Sequence, residues 1–227
     1  IEGLIWQYSC YDYYGLYVSK DGSAYAYLLQ SYFYHIPSTL KNVTITVQTS
    51  IPTAAFNNCN FIETITIPTT LSSIGDYAFQ NCSVLKRLNS TTDGEFNIPT
   101  TVTTIGNSAF NGCEAIETII VPFVGNTVES TSSFKTIFGT ASKLKNITIT
   151  ADTTIPASAF SGLSTVESIT IPSTTTSIGK YAFSGCISLA KINSETEGEM
   201  IIPENVITIG KYAFENCTGL TTIAIGT

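Results

Sequence analysis

The sequence predicts a mainly β solenoid, in which strands from successive coils stack into parallel ladders and each coil carries a short helical turn. Two repeats predict it: the dipeptide Ala-Phe recurs at fixed spacings, and a Leu-x-x-Ile-x-Ile segment begins a new coil about every 22–23 residues. The composition agrees, because a chain with 43% hydrophobic and 12% charged residues forms a large core and is not disordered. A coil of 22–23 residues is too short for two long helices and a strand.

The Ala-Phe dipeptides reveal a tandem duplication. Their phenylalanines lie at positions 56, 79, 110, 160, 183 and 214, so the last three repeat the first three after 104 residues. The segment 40–46 returns as 144–150 with a single change, from Val43 to Ile147. We therefore predict an aromatic N-terminal cap or degenerate coil (1–39) and a solenoid of about eight coils (40–227), in two tandem blocks (40–143 and 144–227).

Each slot of the coil has a physical role. In Ile65-Thr66-Ile67, apolar and polar residues alternate as in a half-buried strand. The following proline lacks the N–H that a central strand needs, so it ends the strand. Glycines at 75, 106, 179 and 210 follow isoleucine at a second turn, where we expect positive φ or close backbone packing. Phe79, Phe110, Phe183 and Phe214 are predicted to stack as a buried ladder.

The pattern resembles the BspA-like leucine-rich repeat of bacterial surface proteins. The resemblance covers about 36–227 and rests on six Ala-Phe coils. The fullest form of the unit is Ile67-Pro68, Ile74-Gly75, Tyr77-Ala78-Phe79, Cys82, Leu85 and Leu88. It implies a right-handed leucine-rich-repeat solenoid with a parallel sheet on the concave face, a secreted or surface-attached setting, and adhesion as the usual role. Three features depart from the pattern: Leu163 replaces cysteine, the stretch 123–142 lacks Ala-Phe-x-x-Cys, and residues 1–35 fit poorly.

Five cysteines occupy one slot, three residues after phenylalanine: Cys59, Cys82, Cys113, Cys186 and Cys217. Equivalent slots in adjacent coils lie about 4.8 Å apart with parallel Cβ vectors, whereas a disulfide needs converging Cβ atoms about 3.8 Å apart. We therefore predict reduced, buried thiols that pack as small hydrophobic groups. The sequence contains no Cys-x-x-Cys pair that would indicate a metal site. Cys10 lies outside the pattern.

Charge and motifs argue against several functions. A net charge of −7 with ten basic residues does not favour a nucleic-acid groove, and no apolar run is long enough for membrane insertion. The single histidine, His35, has no nucleophile motif beside it, so we predict no enzyme activity, no cofactor and no metal. The acidic residues at 93, 95, 195, 197 and 199 allow a calcium site or a solvated turn, and the absence of an EF-hand series favours the turn.

The N-terminal segment is rich in aromatic residues. Nine of the twelve tyrosines precede residue 35, and Trp6 lies among them. Such a segment would close the open end of a solenoid, or would form a binding platform. No charged and apolar leader precedes Ile1, so we expect that a signal peptide has been removed from an extracellular or cell-surface protein.

The outward strand positions define a candidate binding stripe. Strand side chains alternate, so the residues before and between the two isoleucines of each segment should point away from the core. The predicted stripe comprises Asn42, Thr44, Thr64, Thr66, Arg87, Asn89, Thr118, Asn146, Thr148, Ser168, Thr170, Lys191, Asn193 and Thr222, with apolar Ile120 and Ala224 in equivalent positions. Flat rows of hydroxyls and amides suit weak, multivalent contacts with an extended protein chain or a glycan, such as those of a host matrix. Threonine is also favoured in strands for packing alone.

Three hypotheses follow from the sequence. The first is a non-enzymatic extracellular scaffold for protein interaction or adhesion. The second places a ligand- or glycan-binding site in the aromatic N-terminal segment, with the solenoid as a spacer. The third is a purely structural stalk.

Overall fold

The structure, a computed structural model, describes residues 41–45 and 48–225, together with the backbone of residues 5–8, 15–18 and 24–27. The predictions for His35, Cys10 and the aromatic side chains of the N-terminal segment lie outside these described residues. The chain divides into two compact units, residues 1–116 with 137–141 and residues 117–136 with 142–227. These units are defined by contacts and the predicted blocks by sequence identity, so the two divisions need not coincide.

The N-terminal strands form a small antiparallel sheet. Its strands are β1 (Ile5–Tyr8), β2 (Gly15–Val18) and β3 (Ala24–Tyr27), in that order. Antiparallel pairing distinguishes this segment from the coils that follow, which pair in parallel.

Parallel ladders build the rest of the first unit. Its main sheet contains β4 (Asn42–Thr44), β6 (Thr64–Thr66), β8 (Arg87–Leu88) and β9 (Glu95–Asn97), paired in that order. Its second ladder contains β5 (Ser50–Ile51), β7 (Ser73–Ile74) and β10 (Thr104–Ile105). Each coil therefore contributes one strand to each ladder, except at β9.

The second unit repeats this plan. Its main sheet contains β11 (Thr118–Val121), β12 (Asn146–Ile149), β14 (Ser168–Thr170), β16 (Lys191–Ile192), β17 (Glu199–Ile202) and β19 (Thr222–Ile225), paired in that order. Its second ladder contains β13 (Thr154–Ile155), β15 (Ser177–Ile178) and β18 (Thr208–Ile209). The predicted mainly β leucine-rich-repeat fold is confirmed.

The helical turns expected around Ala-Phe are instead a series of tight non-helical turns. In the coil around Phe79, hydrogen bonds join every second residue to the carbonyl three before it, as from Ala78 N to Gly75 O and from Cys82 N to Phe79 O. Between them, Tyr77 and Asn81 adopt φ values of 57° and 59°, which a right-handed helix does not allow. The described residues include one α-helix, α1 (Lys135–Phe138), and no helix among them is long and apolar enough to cross a bilayer.

Close packing, and not positive φ, explains the glycines that follow the second-ladder strands. A Cβ built on Gly75 would lie 2.5 Å from the backbone N of Thr53, and one on Gly106 would lie 2.2 Å from that of Asp76. Left-handed residues lie instead two positions before and two positions after each Ala-Phe phenylalanine. The position after the ring carries Asn81, Gly112 or another asparagine or glycine. Of the two alternatives for the glycine slot, close packing is thus correct.

Each unit contains a ladder of four phenylalanines, in which neighbouring rings are stacked except for the tilted pair Phe134 and Phe160. The first runs through Phe56, Phe79, Phe110 and Phe138, with ring centroids 5.1–5.3 Å apart. The second runs through Phe134, Phe160, Phe183 and Phe214, at 5.2–5.9 Å.

Two details of the ladder differ from the prediction. Phe79, Phe110 and Phe183 are fully buried, but Phe214 is only half-buried, so its assignment to the core was wrong. The stretch 123–142, which lacks the motif, nevertheless supplies a ring: Phe138 stacks on Phe110, and the Phe110 N–H bonds to Ile137 O as Phe79 N–H bonds to Ala109 O. Ile137-Phe138 therefore replaces Ala-Phe in this coil.

Four of the five slot cysteines are free and buried as predicted: Cys82, Cys113, Cys186 and Cys217. The prediction was wrong for Cys59, which is disulfide-bonded. Parallel Cβ vectors exclude a bond between neighbouring coils, but they do not exclude a bond to a cysteine outside the ladder.

The free thiols also make hydrogen bonds. Cys82 Sγ donates to Phe56 O at 3.0 Å, and Cys113 Sγ donates to Phe79 O at 3.1 Å. Cys186 and Cys217 repeat this contact in the second unit, each at 3.1 Å. A thiol in this slot therefore links two coils, which the leucine at position 163 cannot do.

Candidate functional site

The outer face of each main sheet contains the predicted stripe. On β4, β6 and β14 the central residue is buried while its two neighbours are exposed or half-buried, as strand alternation requires. All the stripe residues are exposed or half-buried. Their predicted outward orientation is correct, and their role in binding stays a prediction.

Strand register arranges the stripe into rows. In the first unit, Asn42 lies opposite Thr64, which lies opposite Arg87. In the second unit, the corresponding row runs through Thr118, Asn146, Ser168 and Lys191. Neighbours within a row share hydrogen bonds: Thr64 Oγ1 donates to Asn42 Oδ1, and Asn146 Nδ2 donates to Thr118 Oγ1 at 3.2 Å.

The two cations of the stripe are neutralised by their own loops. Arg87 Nε lies 3.2 Å from Asp93 Oδ1, although the contact lacks hydrogen-bond geometry. Lys191 Nζ lies 2.9 Å from Glu197 Oε1, and this hydrogen bond, with the charge of Glu197, raises the pKa of Lys191. Asp93 and Glu197 are 104 residues apart, so the duplication repeats the pair. Neither cation is a free charge for a ligand.

A short insertion in the longest coil of each block forms a loop that projects beside the outer face of the sheet. Between β8 and β9 the chain leaves the sheet and returns beside itself, so that Arg87 pairs with Glu95 only eight residues later. The insertion adds a strand to the main sheet, while in the second ladder Ser73 on β7 still pairs directly with Thr104 on β10. Residues 193–199 repeat this loop between β16 and β17.

Side chains of the motif Asn-Ser-x-Thr-x-Gly-Glu hold the loop. In the first unit, Asn89 Oδ1 accepts the Ile67 N–H at 2.7 Å, and Ser90 Oγ donates to Glu95 Oε1 at 2.7 Å. Ser90 Oγ also accepts the Thr92 N–H at 3.0 Å. These are structural tasks, so Asn89 is less available to a ligand than its place in the stripe implied.

The second unit forms the same bonds. Asn193 Oδ1 accepts the Ile171 N–H at 2.8 Å, Ser194 Oγ donates to Glu199 Oε2, and the Thr196 N–H bonds to Ser194 Oγ at 3.0 Å. Four of the five carboxylates considered for calcium, all except Glu195, are thus engaged with serine hydroxyls or with lysine and arginine. Among the residues that the structure describes, no group of three His, Cys, Asp or Glu side chains is placed to hold a metal ion.

Beside each loop lies a groove. The first groove, in the first unit, has a volume of about 810 Å³, and the second groove, in the second unit, about 600 Å³. Their linings correspond after a shift of 104 residues: Thr66, Ile67, Thr69, Asn89, Ser90 and Pro99 in the first match Thr170, Ile171, Ser173, Asn193, Ser194 and Pro203 in the second. The second groove also contains Asn146, Ser168 and Lys191 of the stripe.

Sequence reasoning missed the groove because it followed strands alone. Ser90, Pro99 and their equivalents lie on the connections that flank the sheet, outside the strand pattern. A signal was present: the segments from Asn89 to Glu95 and from Asn193 to Glu199 share their Asn, Ser, Thr, Gly and Glu positions. Stripe residues such as Asn42, Thr44, Thr148 and Thr222 lie on the sheet but do not line either groove.

The chain belongs to the BspA-type leucine-rich-repeat family. The family model of the BspA type leucine rich repeat region matches residues 26–133, 88–198 and 196–227, with six copies. Membership establishes a leucine-rich-repeat scaffold, which is consistent with a protein-interaction or structural role. No curated protein matches the sequence.

Several solved structures are similar to this chain, and one of them, with a TM-score above 0.5, agrees on the fold. A leucine-rich-repeat protein from T. pallidum is 16% identical with a TM-score of 0.53, and the match covers 95% of this chain and 91% of that one. A leucine-rich-repeat protein from Bacteroides ovatus is 22% identical with a TM-score of 0.48, over 83% of this chain. A leucine-rich cell surface protein from Faecalibacterium prausnitzii is 22% identical with a TM-score of 0.33, over 84% of this chain. The matches span 53% of the Bacteroides chain and 61% of the Faecalibacterium chain.

Proposed function

We propose that this protein is a non-enzymatic extracellular scaffold for adhesion, and that it binds its partner through the two grooves of the outer face. The observation that carries the proposal is the repetition of the groove. The two linings keep hydroxyl, amide and proline residues at equivalent positions 104 residues apart. Two equal sites on one chain suit a partner with repeated features, because linked weak contacts gain by effective concentration.

The chemistry of the grooves favours an extended protein chain or a glycan. Thr66 and Thr170 are exposed and offer hydroxyls in grooves that also contain a proline, Pro99 or Pro203. The lining lacks aromatic anchors, so each contact is expected to be weak alone. Many weak hydrogen bonds along an extended polymer would together supply the affinity.

The cysteines support an extracellular setting. The disulfide at Cys59 belongs to an oxidising compartment, where disulfides form and persist. The other slot thiols survive there because they are buried, and burial raises the pKa of Cys82 and Cys186 to about 12. A thiol that neither ionises nor meets solvent reacts slowly with oxidants.

A screen against matrix proteins and glycans, followed by two matched variants, tests the proposal. Thr66→Glu with Thr170→Glu places a charge in both grooves. Thr104→Glu with Thr208→Glu makes the same change, also 104 residues apart, at exposed positions of the second ladder. Reversing Arg87 and Lys191 would be a poorer test, because each would then face the carboxylate that now pairs with it.

We expect the groove variant to lose at least tenfold in affinity for the ligand found, and the second-ladder variant to keep the affinity of the parent. Equal losses in both variants, or none in either, would overturn the groove as the site. Binding lost on deletion of residues 1–35 would move the site to the aromatic segment. A protein that binds nothing in the screen would be a structural stalk.

A further inference from the structure

A strip of lysine and tyrosine lies beside the second ladder of the second unit. The dipeptides Lys180-Tyr181 and Lys211-Tyr212 follow β15 and β18 on adjacent coils. The two tyrosine rings stack with centroids 5.2 Å apart and planes 14° apart. Each lysine lies over the ring of the following tyrosine, with Nζ 4.9 Å and 4.5 Å from the two centroids.

The lysines of this strip lack carboxylate partners. Most other described cations are paired: Lys41 and Lys86 with Glu63, Arg87 with Asp93, Lys145 with Glu167 and Lys191 with Glu197. Lys180 and Lys211 are exposed, and no ion pair among the described residues includes either of them. The carboxylate of nearby Glu215 accepts a hydrogen bond from Ser184 Oγ at 3.3 Å. In a chain with a net charge of −7, two adjacent unpaired cations are a local exception.

The first unit shows that the fold does not require this strip. Its residues at the same slots, 104 positions earlier, are Asp76-Tyr77 and Asn107-Ser108. The backbone is nevertheless the same. Tyr77 and Ser108 have φ values of 57° and 53°, against 57° and 63° at Tyr181 and Tyr212. The bond from Tyr77 N to Asn107 O, 2.9 Å long, is likewise matched by one from Tyr181 N to Lys211 O, 3.2 Å long.

The side chains of these slots differ between the units although the backbone is the same, which indicates that the side chains serve a function at the surface. Both units keep the phenylalanine and glycine slots, but the second carries two lysines and a tyrosine where the first carries an aspartate, an asparagine and a serine. Cation–π contacts at exposed sites stabilise a protein only weakly, so stability gives little reason for the difference between the units. We propose that the strip of Lys180, Tyr181, Lys211 and Tyr212 binds a polyanionic polysaccharide that carries carboxylate or sulfate groups.

The geometry fits such a ligand. Parallel coils place successive lysines about 4.8 Å apart along the ladder, so neighbouring anionic groups of one chain can each meet an ammonium group. The stacked rings hold the phenol hydroxyls side by side as further donors. The rings cover each other and leave no pocket between them for a buried anchor, which a tight protein interface would need. Repeated weak charge contacts along a polymer need no such pocket.

Exchange of the strip between the two units tests the proposal. Lys180→Asp, Lys211→Asn and Tyr212→Ser give the second unit the residues of the first, on a backbone that already accepts them. Asp76→Lys, Asn107→Lys and Ser108→Tyr build a second strip in the first unit. Binding is measured on immobilised heparin, hyaluronate and neutral dextran, and on poly-glutamate as an acidic peptide, across a range of salt concentrations.

We expect the parent to bind heparin or hyaluronate but not dextran, with affinity that falls as salt rises. The removal variant should lose at least tenfold, and the transplanted strip should strengthen binding. Lys180→Asp alone should weaken binding, whereas Lys143→Asp, which changes the net charge equally, should not. No binding to either acidic polysaccharide, unchanged binding in the removal variant, or stronger binding to poly-glutamate than to the polysaccharides would each overturn the proposal. Circular dichroism confirms that every variant is folded.

Discussion

Truncation of one ring in the phenylalanine ladder should destabilise the protein strongly. Phe79 is fully buried and stacks on Phe56 at 5.2 Å and on Phe110 at 5.1 Å, with interplanar angles of 4° and 10°. Phe79→Ala removes the ring and leaves a cavity between two neighbours that cannot close on each other. Buried phenylalanines of this kind cost about 3–5 kcal/mol on truncation. Two stacked partners, each worth about 0.5–1.5 kcal/mol beyond burial, place the expected loss in the upper half of that range.

The phenylalanine ladder of the second unit contains a control. Phe214 occupies the equivalent slot but is half-buried, and Phe183 is the ring on which it stacks, at 5.2 Å. Partial burial removes roughly half of the transfer energy of the side chain, so Phe214→Ala should cost about 1–2 kcal/mol.

Urea unfolding followed by circular dichroism measures both losses, and hydrogen exchange of the coil amides shows where the stability is lost. The slope with denaturant must stay constant, so that the midpoints report stability alone. A loss below about 1 kcal/mol for Phe79→Ala, or equal losses at Phe79 and Phe214, would refute the stacked ladder as the main source of stability.

Three further predictions concern the cysteines and glycines. Burial raises the pKa of Cys82 and Cys186 from 9.0 to about 12, so above pH 9 the unfolded chain releases thiol protons that the folded chain keeps. Stability should therefore fall between pH 9 and 12 by about 1.4 kcal/mol per pH unit for each such thiol, which urea midpoints at pH 8, 9 and 10 measure and a flat profile would contradict. Of the six cysteines, the disulfide at Cys59 uses two, so four thiols should titrate in the denatured, never-reduced protein. No thiol should titrate in the folded protein at pH 8. A count of six in the denatured protein would mean that the disulfide is absent. Gly106→Ala should cost at least about 2 kcal/mol in the same urea assay, because its Cβ would lie 2.2 Å from the Asp76 backbone. Gly185→Asn should cost little, because the equivalent slot of the first unit already carries an asparagine, Asn81, in the left-handed conformation.

The ladders could be predicted from the sequence because each depends on a local period. Alternation around Ile65 placed Thr64 and Thr66 outward, and the spacing of Ala-Phe placed the rings in one row. Both rules use only the geometry of a single coil and its neighbour. Such patterns survive duplication, so two blocks gave each slot several independent examples.

Features that depend on the path of the chain between slots could not be predicted in this way. The turn series around Phe79 takes its shape from left-handed residues such as Tyr77, and tyrosine gives no sign of that conformation. The ring of Phe138 was hidden because isoleucine stands where alanine was expected. The disulfide at Cys59 was missed because the repeat places this cysteine in the same slot as four free thiols.

Only the strand positions of the candidate site could be predicted, because they follow the local period and the grooves do not. Outward positions such as Thr66 and Thr170 followed from alternation, but the grooves follow from how an insertion folds back beside the sheet. The sequence showed the two cations, Arg87 and Lys191, without showing that Asp93 and Glu197 return to meet them. Long-range charge pairing of this kind depends on the loop conformation, which no local period encodes.

The eight-residue insertion separates folding from surface variation. It lengthens the main sheet by one strand, yet the second ladder pairs across it and Phe79 still stacks on Phe110 at 5.1 Å. Residues 91–93 and 195–197 already differ, with Thr-Thr-Asp in one loop and Glu-Thr-Glu in the other, although the two loops have identical length. Residues at these loop tips can therefore change without affecting the packing of the core, as variable loops do on a constant framework. The same positions offer an engineer a place to display a foreign peptide, with its length and sequence chosen independently of the coils that carry it.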